Sequence, residues 1–305
     1  MTQKTLSHLD SSALNYQSVR FYNPDRTPTD KAARKSENRK ALISKNARYA
    51  FQTFTGRGGL HGLKWQNFPN FAKYTGAKRD FEMGQFFTPD EVCRTVIEML
   101  EIEQEKTVAD ICSGKGSFFN YLKGCRLYGV EKDFDAWKIS KRAFPEAQIQ
   151  NVDMRQMRSI PACDYIVGNP PFSLHLPYVN HPLGTNNKVV SQDFHLYKCW
   201  QCLKDGGFVG LVVPHFRGRL ANEKTHRFFL ENFRTVAIII LPSGTFPALG
   251  KGLKTKILIA QKKSNINQSG ISIFKTIFQN RSQVLNEWRN SSQYLEYNEM
   301  KQDFD

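Results

Sequence analysis

The chain is short of acidic side chains: 28 Asp and Glu stand against 43 Lys and Arg among 305 residues, a formal net charge of +15. That deficit favours a polyanionic partner, because each phosphate neutralised by Lys or Arg releases counterions. Long apolar runs are missing as well. No stretch approaches the roughly 18–20 consecutive apolar residues of a membrane helix. The first 25 residues also hold no apolar signal-peptide core, so a cytoplasmic protein with no membrane partner is expected. Cysteine is sparse, and Cys93, Cys112, Cys125, Cys163, Cys199 and Cys202 are scattered through apolar segments, which suits reduced buried thiols better than a disulfide framework. Cys199-Trp-Gln-Cys202 has half of a zinc-site spacing, but no second pair or His cluster completes it; no metal is expected.

What is present is unevenly distributed. Residues 1–80 hold 15 Lys and Arg and only five acids, interleaved with aromatics such as Tyr49, Phe51, Phe54, Trp65, Phe68, Phe71 and Tyr74. The stretch from Asp30 to Phe54 reads as helical. This basic N-terminal extension combines phosphate-neutralising groups with stacking faces, as a nucleic-acid arm would. It equally suits a solvated helical extension that packs its aromatics on the main domain, and the two readings are compatible.

From about residue 85 short β-rich apolar runs alternate with amphipathic segments, the pattern of a parallel sheet covered by helices. Strands are expected at Thr107–Cys112, Arg126–Glu131, Ala147–Val152, Cys163–Val167, Gly207–Val213, Thr235–Leu241 and Lys254–Ala260. Helices are expected at Thr88–Glu101, Ser117–Gly124, Asp133–Phe144, Asp193–Lys204 and Asn222–Phe233. The loop Pro242–Leu253 is too short for a helical crossover, so the last two strands should pair antiparallel. The expectation is an α/β domain over residues 81–263 with a mostly parallel seven-stranded sheet and an antiparallel last strand. A short polar tail, 264–305, follows and carries one further strand candidate at Ile271–Phe278.

Acids and glycines gather at successive strand ends. Asp110-Ile111-Cys112-Ser113-Gly114-Lys115-Gly116-Ser117-Phe118 is a strand running into a glycine turn, where a ligand can approach backbone N–H groups. The first glycine of a phosphate loop is absent, which disfavours ATP. Glu131 ends the next strand, where an acid can bond both hydroxyls of a ribose. Asp153 ends the third and can accept from an adenine amine while Met154 packs on the ring. After the fourth strand comes Asn169-Pro170-Pro171-Phe172. The prolines remove donors, leaving the Asn169 side-chain oxygen and the Pro170 carbonyl as acceptors for both protons of an aromatic amine, with Phe172 as a stacking face for an extruded base.

Asp110–Phe118 together with Asn169–Phe172 resembles the cofactor and catalytic motifs of the N6-adenine DNA methyltransferases. Gly84-Gln85-Phe86-Phe87-Thr88-Pro89 resembles their upstream motif, in the permuted order called gamma. The likeness continues through Gly206–Pro214 and Leu241–Phe246, as in modification subunits of type I restriction systems, and so covers about residues 84–263. It implies a Rossmann-like class I methyltransferase fold and S-adenosylmethionine as cofactor. By the same resemblance Phe87 and Thr88 would contact the methionine end and Asp110, Ser113, Gly114 and Gly116 would line the amino-acid moiety. Glu131 would hold the ribose, Asp153 and Met154 the adenine, and Asn169, Pro170, Pro171 and Phe172 the target base. Ser113 departs from the cysteine of many relatives, though a small residue is kept. Thr88-Pro89-Asp90-Glu91 also reads, from its residues alone, as a helix N-cap with a capping-box glutamate. Upstream, Phe54-Thr55-Gly56-Arg57-Gly58-Gly59-Leu60 resembles a Thr-Gly-x-Gly-Gly segment of some phage and mobile-element methyltransferases, either a turn near the cofactor or a linker.

The reaction so implied is direct transfer of methyl to the exocyclic amine of adenine in DNA. RNA adenine or protein glutamine is the alternative substrate, since those families share the Asn-Pro-Pro-aromatic element; a methyltransferase-like subunit that binds DNA without turnover is a third reading. With only 42 residues after 263, target selection is expected in residues 1–80, in the insertion Ser173–Gln192 or in a separate specificity subunit, or else to be relaxed, and a homodimer is a further arrangement.

Overall fold

The computed structural model describes residues 31–177, 181–215, 223–246, 254–264 and 272–304. In it the apolar runs become β1 (Thr107–Asp110), β2 (Arg126–Val130), β3 (Gln148–Gln150) and β4 (Cys163–Gly168). A hairpin of β5 (His175–Pro177) and β6 (Lys188–Val190) follows, and then β7 (Leu203–Pro214), β8 (Phe233–Leu241), β9 (Thr255–Lys262) and β10 (Phe274–Ile277). Apart from the hairpin, all pair in one sheet, ordered β10-β8-β9-β7-β4-β1-β2-β3. Every residue of β1 and β4 is buried, as central strands covered on both faces require. β9 runs antiparallel to both β7 and β8, the antiparallel pairing expected of the last two strands; residues 247–253 between β8 and β9 lie outside the described residues. β9 lies between those two strands, and the sheet has eight members because β10 adds parallel to β8.

The helices are α1 (Lys31–Ile43), α2 (Ala47–Thr53), α3 (Phe71–Glu82), α4 (Asp90–Leu100), α5 (Phe134–Ala143), α6 (Ser191–Cys202), α7 (Glu223–Asn232), α8 (Arg281–Arg289) and α9 (Ser292–Gln302). Among the described residues no helix is long and apolar enough to cross a membrane. The helix expected over Ser117–Gly124 is only a 3-10 turn, Phe119–Tyr121. Gly116 and Gly124 both have positive φ and break the chain on either side, while Phe118, Phe119 and Leu122 are held in the core. The capping box expected at Thr88 does not form either. Pro89 takes the N-cap position of α4 with no side-chain bond, and the Thr88 side chain is buried instead.

The segment from 264 onward, expected as a short tail, is integral to the fold from residue 272. Trp288 and Tyr297 are fully buried. The Tyr297 hydroxyl donates to the Leu100 carbonyl at 2.6 Å and Lys301 Nζ to the Glu101 carbonyl at 2.9 Å, which satisfies carbonyls left open at the end of α4. These helices bury aromatic surface that a polar composition hides from a window-based reading.

The described part of the N-terminal extension is docked. α2 lays Ala50 and Phe54 against Ala136 and Ile139 of α5, Lys115 Nζ donates to the carbonyls of Phe51 (2.8 Å) and Phe54 (3.1 Å), and Arg57 pairs with Asp133 at 3.1 Å. Residues 1–30, the other part of the proposed arm, lie outside the described residues.

Candidate active site

The strand ends meet in a cavity of about 650 Å³, within the size range of small-molecule sites. Ile111 after β1, Glu131 after β2, Asp153 after β3 and Asn169 after β4 all reach it, and Phe87, Cys112, Gly114, Val130, Val152, Met154 and Pro171 complete the walls. This is the crevice outside the carboxyl ends of a parallel sheet. Most of the residues singled out from the sequence are thus brought together. Thr88, Asp110, Ser113, Gly116, Pro170 and Phe172 are not part of the lining.

The Glu131 carboxylate accepts from the backbone N–H of Gly114 at 2.8 Å and of Asp133 at 2.6 Å. Burial raises it to about 7 despite those bonds. Gly114 has φ +56, and a Cβ there would stand 2.9 Å from the Phe87 ring. The turn therefore stays glycine while Phe87 closes over it. Asp153 faces the cavity with both oxygens already engaged: Arg155 forks it at 2.8 and 2.9 Å, and Lys132 Nζ lies at 3.1 Å. Burial pushes this carboxyl up, but the Arg155 and Lys132 bonds outweigh it and hold Asp153 well below the usual range. The Arg155 backbone N–H adds a bond to Oδ1 at 3.0 Å, so the carboxylate's lone-pair sites, about four in all, are engaged, and an adenine amine would have to displace one of these bonds.

Asp110 lies behind the wall. Cys112 N–H donates to it at 3.0 Å, its Oδ1 is 2.9 Å from where a Cβ on Gly168 would be, and burial raises it to about 8. Across the same gap is His195 Nε2, 3.7 Å from that point. His195 is fully buried, and Nε2 has no hydrogen-bond partner among the described residues; burial lowers the ring to about 4. Cys199 Sγ lies 3.5 Å from His195 Nδ1. No group of three metal-ligating side chains occurs among the described residues.

Just after β4 the Asn169 amide is held by its nitrogen. Nδ2 donates to the Phe86 carbonyl at 2.9 Å, and since a carbonyl can only accept, the amide orientation is set. Asn169 Oδ1 is left buried with no partner among the described residues. Such an atom forfeits hydration with no return until a donor arrives. Gly84, at φ +69, lies so close to Pro171 that a Cβ there would come within 2.5 Å of it. The upstream motif thus clamps the Asn-Pro-Pro bend. The Pro171 carbonyl accepts from Ser191 Oγ at 2.5 Å. Phe172 is half-buried, packs on the large core cluster and is not part of the cavity lining. The Phe54–Leu60 glycines form a turn rather than a linker: Arg57 N–H donates to Gln85 Oε1 at 2.7 Å and Gly59 N–H to Glu82 Oε1 at 3.0 Å.

Arg79, Lys132, Arg155 and His175 also line the cavity; Arg79 belongs to the basic extension and His175 to the insertion Ser173–Gln192, both of which were expected on the substrate side, whereas Lys132 and Arg155 were not anticipated. A signal existed for Arg155, two residues past an acid at a strand end, where a local fork can form. For Arg79 and His175 the sequence pointed to the segment, and their exact positions follow from the packing of α3 and the hairpin.

These features define a class I methyltransferase: an α/β sheet with one antiparallel strand and a nucleoside-sized crevice bearing strand-end acids. The chain matches the N-6 DNA methylase family over residues 68–302 and belongs to it, so it is a methyltransferase of the N6-adenine type. Similar solved structures include a Listeria monocytogenes protein assigned to the class I S-adenosylmethionine-dependent methyltransferases, with 14% identity over 84% of this chain and 97% of that one and a TM-score of 0.58. The methyltransferase subunit of a type I restriction-modification system from Streptococcus thermophilus has 18% identity over 81% and 64%, with a TM-score of 0.52. A Vibrio vulnificus protein described as a modification subunit of a type I restriction enzyme has 17% identity over 80% and 61%, with a TM-score of 0.54. At these identities the likeness is one of fold, and the chain spans under two thirds of the length of the two modification subunits.

Proposed function

We propose that the protein methylates the exocyclic amine of adenine in DNA, using S-adenosylmethionine. One observation carries this reading: the buried, unpartnered Asn169 Oδ1 beside the crevice. An acceptor held in place by its own Nδ2 is suited to a substrate that brings an N–H donor, as adenine N6 does.

The cavity fits the cofactor. Glu131 suits a ribose diol, Met154 an adenine face, and the Gly114 turn under Phe87 a narrow chain, while Asp153 would meet an adenine edge by exchanging one of its present bonds. S-adenosylmethionine supplies an electrophilic methyl group on a sulfonium. Asn169 Oδ1 would accept a hydrogen bond from one amine N–H and, by the family resemblance, the Pro170 carbonyl from the other, which draws the nitrogen lone pair out of conjugation. Orientation and preorganised acceptors are the main contributions. The basic surface and the family's DNA substrate favour DNA over RNA, and a separate specificity subunit accords with the type I systems to which the similar modification subunits belong.

The test is transfer of labelled methyl to unmethylated duplex DNA, single-stranded DNA and RNA in parallel, with nucleoside mass spectrometry of the product. N6-methyladenine in DNA is the expected result. Label confined to RNA or protein overturns the DNA assignment.

A further inference from the structure

Beside the crevice lies an element that the chemistry above does not use. In the 3-10 turn Trp65–Asn67 and in α3 the one buried residue is Glu82. The aromatics point outward: Trp65 is 51% exposed and Phe71 67%. Phe68, Phe71 and His61 gather around Tyr74 with ring centroids 5.7–6.0 Å apart, which makes a stiff aromatic shelf rather than loose side chains. Lys64, Lys73 and Arg79 are exposed around it, Lys78 is half-buried, and Asp80 is the only exposed acid in this stretch. Burial together with Lys31 and Lys78 holds His61 below its ordinary value, in keeping with a positive local field.

A helix that buries no apolar face gains little from the core, and a surface that keeps large aromatics in water is waiting for something to cover them. The location says what. Gly76, Arg79 and Asp80 of α3 line the crevice, and Arg79 Nη1 donates to the Ser173 carbonyl at 3.4 Å, one residue past the Asn-Pro-Pro-Phe bend. The shelf is therefore the lip of the cavity on the side where the target base would enter. The core of a protein-protein interface is depleted in charge. Here cations are interleaved with rings, which is how single strands are gripped: phosphates on cations, bases on aromatic faces.

We propose that Lys64–Arg79 docks the nucleic-acid strand that carries the target base, with Lys64, Lys73 and Arg79 meeting phosphates and Trp65 and Phe71 stacking on bases that flank the target. This rests on the methyltransferase reading above and adds to it where the strand lies.

The experiment measures binding of the full chain to a fluorescent adenine-containing DNA oligonucleotide, with S-adenosylhomocysteine present, between 50 and 200 mM salt. The charge pair K64E/K73E is expected to weaken binding about tenfold or more and to lower the salt slope by about 2. W65A/F71A is expected to weaken it about tenfold with the slope unchanged. Neither pair lines the cavity, so S-adenosylhomocysteine affinity stays within about twofold and reports that the fold survives. On the unaltered protein, ultraviolet crosslinking followed by peptide mapping should place the DNA within His61–Arg79. Wild-type affinity and salt slope in both variants, or a crosslink elsewhere, overturns the proposal. If the wild type still methylates DNA in that case, the functional reading stands and only the lip is wrong. Loss of binding to a protein subunit with DNA affinity intact assigns the shelf to that partner and also overturns it. A wild type that neither binds nor methylates nucleic acid removes both.

Discussion

The Asn169 side-chain nitrogen donates to the backbone carbonyl of Phe86 at 2.9 Å, so a main-chain atom of the segment before α4 orients the side chain that ends β4. Two motifs 83 residues apart in sequence are thereby one device. Phe86 supplies a carbonyl that no side-chain substitution removes, and Gly84 lets that segment press on Pro171.

Replacing Gly84 by Ala should therefore impair catalysis through position alone. The new Cβ meets Pro171 at 2.5 Å in a backbone region that favours glycine. Turnover is expected to fall about tenfold or more, since small misplacements of reacting groups are costly, while cofactor affinity changes little. Steady-state kinetics beside a cofactor titration read the split; equal losses in both would show that Gly84 serves general stability.

Glu131 makes cofactor binding pH-dependent. Burial raises its carboxyl from 4.5 to about 7, yet it must be ionised to accept from two ribose hydroxyls. Below pH 7 binding must first remove a proton, so affinity should weaken by up to about tenfold per pH unit on the acid side and level off above pH 8. Calorimetric titration of S-adenosylhomocysteine from pH 5.5 to 8.5 checks this. Glu131→Gln should bind weakly with a flat profile; a wild type already flat across that range would contradict the assignment.

Asp110 gives a stability prediction of definite sign. Its folded pKa, about 8, lies above the ordinary 3.8, so the folded state holds the proton more tightly than the unfolded chain. Stability from this group is present at low pH and falls as pH rises from about 4 to 8. Asp110→Asn keeps an oxygen for the Cys112 N–H and removes the charge. Its melting temperature should exceed that of the wild type by a margin that widens between pH 5 and 8, and a margin that narrows would contradict the account.

The sheet and the cofactor wall were legible because apolar runs and strand-end acids are local signals: Val108–Asp110, Tyr128–Glu131 and Tyr165–Asn169 each announce a strand together with the polar residue at its end. Long-range packing was not legible. Phe172 packs partly on the core cluster outside the cavity lining, beside the Pro171 carbonyl that Ser191 holds. His195 comes to lie beside Asp110, with Cys199 against its Nδ1, through side-chain geometry that no periodicity encodes. The helices α8 and α9 were hidden by their polar composition, although Trp288 and Tyr297 are the residues that seat them.

Those two aromatics make the C-terminal segment part of the catalytic domain's stability. Trp288 is fully buried against Phe274, Tyr294 and Tyr297, and its replacement by Ala should cost about 3–5 kcal/mol. Denaturant unfolding measures this, and a loss below about 1 kcal/mol would mean that the segment is a dispensable appendage.

The central claim is that Asn169 Oδ1 is the acceptor that activates an adenine amine, and single-turnover methyl transfer by Asn169→Ala, with cofactor affinity measured on the same preparation, tests it most directly. The expected result is a fall of roughly 10²–10³ in rate with S-adenosylmethionine affinity essentially retained. Transfer at the wild-type rate would contradict it.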